Sequence, residues 1–142
     1  MAARLTAGAV RIGDQMPPLV KGPITKLMIQ KYACASGDFS QIHMDDEHAR
    51  SAGLPGVIMH GMLSMAFLAQ FVTDWLRDVE ACQKLEVRFV GIVRPGDTLT
   101  CQGKVTDKVV RDGQTVVECE IALVNQRGEP VTTGKASAAL SG

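Results

Sequence analysis

The sequence predicts an α+β fold in which an antiparallel β-sheet wraps around one long central helix. Two observations predict it. A stretch beginning near residue 60, "HGMLSMAFLAQFVTDWLRDV", carries apolar residues on nearly every helical face as far as Thr73, and a helix of that kind must be enclosed by other structure. Beyond it the apolar period changes from helical to two, and tight-turn signals join the alternating segments, as hairpin-linked strands require.

The elements follow in order. "RIGDQMPPLV" predicts a short strand that Pro17 and Pro18 confine to an edge or end. "TKLMIQKYACASG" predicts a helix of about three turns, with Thr25 as N-cap and Gly37 just past the end, because Met28, Tyr32 and Ser36, and Ile29 with Ala33, recur four apart. Asp38 comes immediately after that helix. Asp45 can cap a short helix "DEHARSA", whose first turn carries Asp46 and Glu47 where the helix dipole favours acids, and which Gly53 can stop. "LPG" makes a turn and the long apolar helix follows.

In "KLEVRFVGIV", Leu85, Val87 and Phe89 alternate with Glu86, Arg88 and Val90, and "RPGD" at 94–97 turns the chain. Two long strands then meet at Asp112-Gly113, a strong hairpin signal. "QRGE" is another turn, and "PVTTGKASAAL" gives a last strand. One helix held in a curled sheet is the hot-dog arrangement. A sheet of this kind keeps an open edge, and pairing two sheets edge to edge buries it, so at least a homodimer is expected.

Composition narrows the function. The 142 residues suffice for one domain, 1–142, and not for two ordinary ones. Lys plus Arg and Asp plus Glu balance at 15 each, so the net charge asks for neither nucleic acid nor an acidic membrane. Cys34, Cys82, Cys101 and Cys119 lack zinc-ribbon or redox spacing and read as free thiols of a reducing cytosol, so a cytoplasmic protein is expected. "MAARLTAGAVRIGD" has no continuous apolar stretch and does not read as a secretory signal. The longest apolar run is interrupted by His60 and falls short of the roughly 20 residues that span a bilayer.

Three features carry possible chemistry. Asp38 and His43, five apart in a loop, form an acid/base pair able to grip one water, or alternatively a turn cap and a core histidine. His43, Asp45, Asp46 and His48 offer metal-ligand types, but on a helix a five-residue offset points His43 and His48 about 140° apart, and no further cluster completes a coordination shell. No metal and no cofactor are expected. Gly61, at the entrance of the long helix, lets a ligand approach free backbone N–H groups, or simply permits tight packing. His60 reads as core or pocket wall, and Met59, Met62 and Met65, spaced by three, as core or pocket lining. No G-x-S-x-G, G-x-G-x-x-G or P-loop appears. Arg88, Arg94 and Lys104 read as solvated charges and receive no role.

Together these features fall into a known order. "YACASGDFSQIHMDDEHARSAGLPGVIMHGMLSMAF" closely resembles the MaoC-like, hydratase-2 type family of (R)-specific enoyl-CoA hydratases and 3-hydroxyacyl-thioester dehydratases, over residues 25 to 72, and "VRFVGIVRPGDTL" is compatible in kind. The resemblance implies a single hot-dog domain that adds water across a trans-2-enoyl-CoA thioester, or removes it. Asp38 and His43 match the catalytic dyad, and Gly61 matches the glycine whose amide polarises the thioester carbonyl. Ser40, His60 and Met62 fall to the substrate-binding wall. The family commonly places Asn-Pro between the Asp and the His, where this chain has Ser40-Gln41, a departure that bears on substrate class more than on the reaction. Two competing functions remain on the same fold: a noncatalytic or half-active subunit that binds acyl thioesters within a hetero-oligomer, and an acyl-CoA thioesterase.

Overall fold

The computed structural model describes residues 2–142. Its elements are β1 (Leu19–Lys21), α1 (Lys26–Ser36), α2 (Asp46–Ser51), α3 (Gly61–Leu76), β2 (Cys82–Phe89), β3 (Leu99–Arg111), β4 (Gln114–Val124) and β5 (Pro130–Leu140), with short 3-10 turns between them. The five strands form one antiparallel sheet in the order β1-β3-β4-β5-β2, and α3 packs against β2, β3, β4 and β5. This is the hot-dog arrangement expected from the sequence.

The local signals act as their chemistry requires. The Thr25 side chain accepts from the Met28 amide, and Gly37 closes α1 in the left-handed region at φ 76°. The Asp45 side chain accepts from the amides of Glu47 and His48 at the start of α2. Asp112 and Gly113 carry φ of 50° and 77°, so both central residues of the β3–β4 hairpin are left-handed, as a type I′ turn demands.

The core lies between α3 and the inner face of the sheet. From α3 it takes Phe67, Leu68, Phe71, Val72 and Leu76, and from the strands Leu99, Cys101, Val105, Cys119, Ile121 and Leu123. Each large side chain fully buried here contributes roughly 1.5–3 kcal/mol. Gly103 of β3 leaves room for its neighbours: a Cβ there would stand 2.5 Å from Met16 Sδ and 3.0 Å from the Phe71 ring of α3.

Two departures from the sequence expectation have physical causes. The long helix stops at Leu76, short of Val79 where the segment quoted from the sequence ends, because Arg77 turns left-handed at φ 56° and Asp78 caps the following 3-10 turn. Nor does the sheet enclose it fully. Met62, Ala66 and Gln70, each four residues from the last, leave a stripe of α3 exposed, since one five-stranded sheet covers only one side of a helix. All four cysteines are free thiols, and burial pushes those of Cys101 and Cys119 up to about 12. Among the described residues no helix is long and apolar enough to cross a membrane.

Candidate active site

Three short segments meet at the amino end of α3. The first is the exit of α1. Gly37 breaks the helix, the Asp38 amide donates to Ser36 Oγ at 3.2 Å, and the Ser40 amide donates back to Asp38 Oδ1 at 3.1 Å. The Asp38 carboxylate is half-exposed on this turn. Ser40, through its hydroxyl and its amide, holds the carboxyl below the ordinary carboxylate value of 3.8, and His43 and His60 add smaller electrostatic contributions in the same direction.

The second segment is the 3-10 turn Gln41–His43, closed by backbone bonds from His43 and Met44 to Ser40 and Gln41 carbonyls without help from a proline. It buries His43. The His43 Nδ1 lies 2.7 Å from the Ile58 carbonyl oxygen. A carbonyl only accepts, so Nδ1 carries the proton and Nε2 presents a lone pair. That lone pair faces Asp38 Oδ2 across 4.0 Å. Two acceptors at that distance do not bond each other. They are spaced to receive the two O–H groups of one water.

The third segment is 57–61. His60 is almost completely buried at 1% exposure and donates from Nε2 to the Asp38 backbone carbonyl at 2.9 Å. Its ring stacks on His43 with centroids 3.9 Å apart and planes 24° apart, and it meets the Tyr32 ring edge-on at 4.8 Å. His60 Nδ1 is the one buried side-chain polar atom among the described residues without a hydrogen-bond partner. Gly61 follows as the first residue of α3, where amides have no intrahelical acceptor and the helix dipole is positive. A Cβ on Gly61 would stand 3.2 Å from the Phe89 ring at the end of β2, so this glycine is also a point of close approach.

Asp38, His43 and His60 thus offer donor atoms within 4.8 Å of one another. The two imidazoles are nevertheless stacked plates, and lone pairs lying in planes 24° apart with centroids 3.9 Å apart do not converge on one ion at about 2.0–2.1 Å. The other ligand types in the stretch are committed elsewhere. Asp45 caps α2, Asp46 pairs with Lys26 and accepts from the Val57 amide, and His48 is exposed on the helix surface.

Of the residues singled out from the sequence, Asp38, His43, His60 and Gly61 come together, and Ser40 joins them by bonding Asp38. Met62 lies one residue into α3 with its side chain largely exposed. Sequence reasoning missed the parts played by Tyr32 and Phe89. Tyr32 opens the stretch quoted for the resemblance and Phe89 ends the alternating set Leu85, Val87 and Phe89, but neither partner is local.

Comparison with known proteins agrees with this fold. A family model described as the MaoC like domain matches residues 9–126, and the chain belongs to that family. A fatty acid synthase 2 of Mycosarcoma maydis is 34% identical over 115 residues, which cover 75% of this chain and 3% of that protein. The enoyl-CoA hydratase ChsH3 of Mycobacterium tuberculosis is 33% identical over 88 residues, covering 61% of this chain and 29% of that one. The chain therefore spans a minor share of these relatives' length. Among solved structures, the R-hydratase PhaJ1 from Pseudomonas aeruginosa superposes with a TM-score of 0.84 at 24% identity, over 98% of this chain and 88% of the other, and so shares the fold.

Proposed function

We propose that this chain is a hydro-lyase that adds water to trans-2-enoyl-CoA to give the (R)-3-hydroxyacyl-CoA, or runs the reverse dehydration. The observation that carries this reading is the pair of acceptors, Asp38 Oδ2 and His43 Nε2, facing each other across 4.0 Å with the other nitrogen of His43 tied to Ile58. A water donating to both is aimed and made more nucleophilic. The thioester carbonyl oxygen sits against the Gly61 amide, whose positive field grows more favourable as the carbonyl becomes an enolate. The water oxygen bonds to the β-carbon while one water proton passes to the dyad. A proton from the dyad then reaches the α-carbon on the same face, and the enolate electrons return to form the C–H bond. Asp38, kept ionised by Ser40, is the base toward water, and His43 orients the water and exchanges the proton.

A homodimer belongs to the same reading. β2 is an edge strand, the Met62-Ala66-Gln70 stripe of α3 is open, and Phe89, Val90 and Ile92 are 49%, 49% and 42% exposed beside them. A second copy applied to this side covers all three features.

The test is turnover of crotonyl-CoA, followed by loss of the enoyl thioester absorbance. Hydration in the native chain, abolished in both Asp38→Asn and His43→Gln with circular dichroism unchanged, is the expected result. Release of free thiol instead of loss of the conjugated double bond would make the chain a thioesterase and overturn the proposal.

A further inference from the structure

His60 takes no part in the chemistry above, yet it touches both members of the dyad. Its Nε2–H donates to the Asp38 carbonyl at 2.9 Å, and its ring lies against His43 with centroids 3.9 Å apart. No other donor reaches that carbonyl among the described residues. At 1% exposure His60 has almost no surface to offer a substrate, so its influence on a reaction passes through these neighbours. His60 is itself fixed. It immediately precedes Gly61, its carbonyl accepts from the Leu63 and Ser64 amides in the first turn of α3, and the Tyr32 ring meets it edge-on.

The hydrogen bond dictates the tautomer. A carbonyl only accepts, so Nε2 carries the proton and the lone pair is left on Nδ1, where no donor meets it. An orphaned buried acceptor costs stability. A phenyl ring of similar size would stack on His43 and pack beside Tyr32 without that cost. What the imidazole alone supplies is one N–H, aimed at the main chain of Asp38. That residue has little else to hold it. It follows Gly37, whose left-handed backbone is free to turn, and its amide and carboxylate bond only to Ser36 and Ser40, two residues to either side. So local a turn can swing as a unit.

We propose that His60 is the positioning residue of this site: it fixes the Asp38–His43 pair against the start of α3, so that the water on the pair and the thioester carbonyl at Gly61 stay in one register. The inference rests on the hydro-lyase reading of that pair and adds what holds the pair in place. Asp38 follows α1, His43 ends a 3-10 turn, and Gly61 begins a separate helix. One imidazole residue joins all three, through a hydrogen bond, a stacked ring and the peptide bond to Gly61. Addition of the water oxygen to the β-carbon depends on that registration, because a misplacement of about 1 Å can lower a rate by about 10²-fold.

The experiment compares the native chain with His60→Phe, which keeps a ring and removes the N–H, and with His60→Gln, whose amide nitrogen restores a donor without a ring. In His60→Phe, kcat for crotonyl-CoA is expected to fall by about 10²-fold with KM within about twofold, while the denaturant midpoint stays level or rises. His60→Gln should recover most of kcat although it packs less well. A purely structural role predicts the reverse order, with activity following stability, and that order overturns the proposal. So does a His60→Phe chain less stable than the native one. A readout independent of turnover is the Asp38 carboxyl, followed by carbon-13 NMR. Ser40 holds it below the ordinary value of 3.8. Both variants lack the smaller electrostatic contribution of His60, so the contrast between them reports the donor. The carboxyl should move up toward 3.8 in His60→Phe and stay lower in His60→Gln. Equal values in the two variants overturn the proposal. A native chain that hydrates no enoyl-CoA, with the two values still apart, defeats the hydratase reading and supports the positioning.

Discussion

Residues 38–48 contain two clusters of the same chemical types, separated by a few positions. Asp38 with His43, and Asp45 and Asp46 with His48, are indistinguishable by composition. In the fold they part company. Both acids of the second cluster are consumed by structure: Asp45 accepts from two amides of α2, and Asp46 ties Lys26 to the Val57 amide, while His48 faces solvent. In the first cluster the backbone and one imidazole nitrogen are tied down, by Ser36, Ser40, Ile58 and His60, and the groups left over, one carboxylate oxygen and one imidazole lone pair, point at each other across 4.0 Å. Supported side chains with uncommitted acceptors are what proton transfer needs, whereas fully bonded ones hold loops together.

The sharpest way to break this contrast is to neutralise each cluster in turn. Asp38→Asn and His43→Gln should each lower kcat for enoyl-CoA hydration on the order of 10²–10⁴-fold with little loss of stability. Asp46→Asn should leave kcat within about twofold, a margin small beside that range. Comparable losses in kcat from both clusters would erase the distinction. The next largest effect is expected at Gly61→Ala, because the new Cβ meets the Phe89 ring at 3.2 Å and crowds the amide assigned to the carbonyl. A fall of about 10²-fold in kcat is expected. Adding Phe89→Ala relieves the crowding. If activity returns, access to the amide was lost through the ring, and if it does not, the glycine's own bare backbone was required.

The same contrast explains what the sequence disclosed. Thr25, Gly37, Asp45 and the Asp112-Gly113 turn act on backbone groups at most four residues away, so their patterns were legible, and the change of apolar period placed the sheet. Asp38, His43 and Gly61 were singled out by residue type, and the resemblance gave them their order. What stayed hidden depends on distant contacts. His60 stacks on a ring 17 positions earlier, and Phe89 covers a glycine 28 positions earlier. The open stripe on α3 was hidden for another reason: an apolar pattern says that a face is to be covered, and does not say by which chain.

Smaller effects belong to the structural cluster. Asp45→Ala removes the acceptor for two amides and should cost about 0.5–2 kcal/mol by denaturant unfolding, with turnover unchanged below the transition. A loss of turnover at full foldedness would show that α2 positions His43 more tightly than its cap bonds imply.

The smallest effect is a pH dependence confined to Asp46. The Lys26 ammonium, followed by the Val57 amide, holds this carboxyl below the ordinary value of 3.8. A depressed folded-state value means that the carboxylate adds stability which is fully present above the unfolded-state value and disappears as pH falls through the folded-state value. Asp46→Asn removes that contribution at every pH. The native chain should therefore exceed the variant in Tm near neutrality, and the difference should narrow only once pH drops below about 3.8. A difference already closing between pH 7 and pH 5 would place its origin in another titrating group, and the assignment of Asp46 as a clamp between α1 and residues 55–57 would fail.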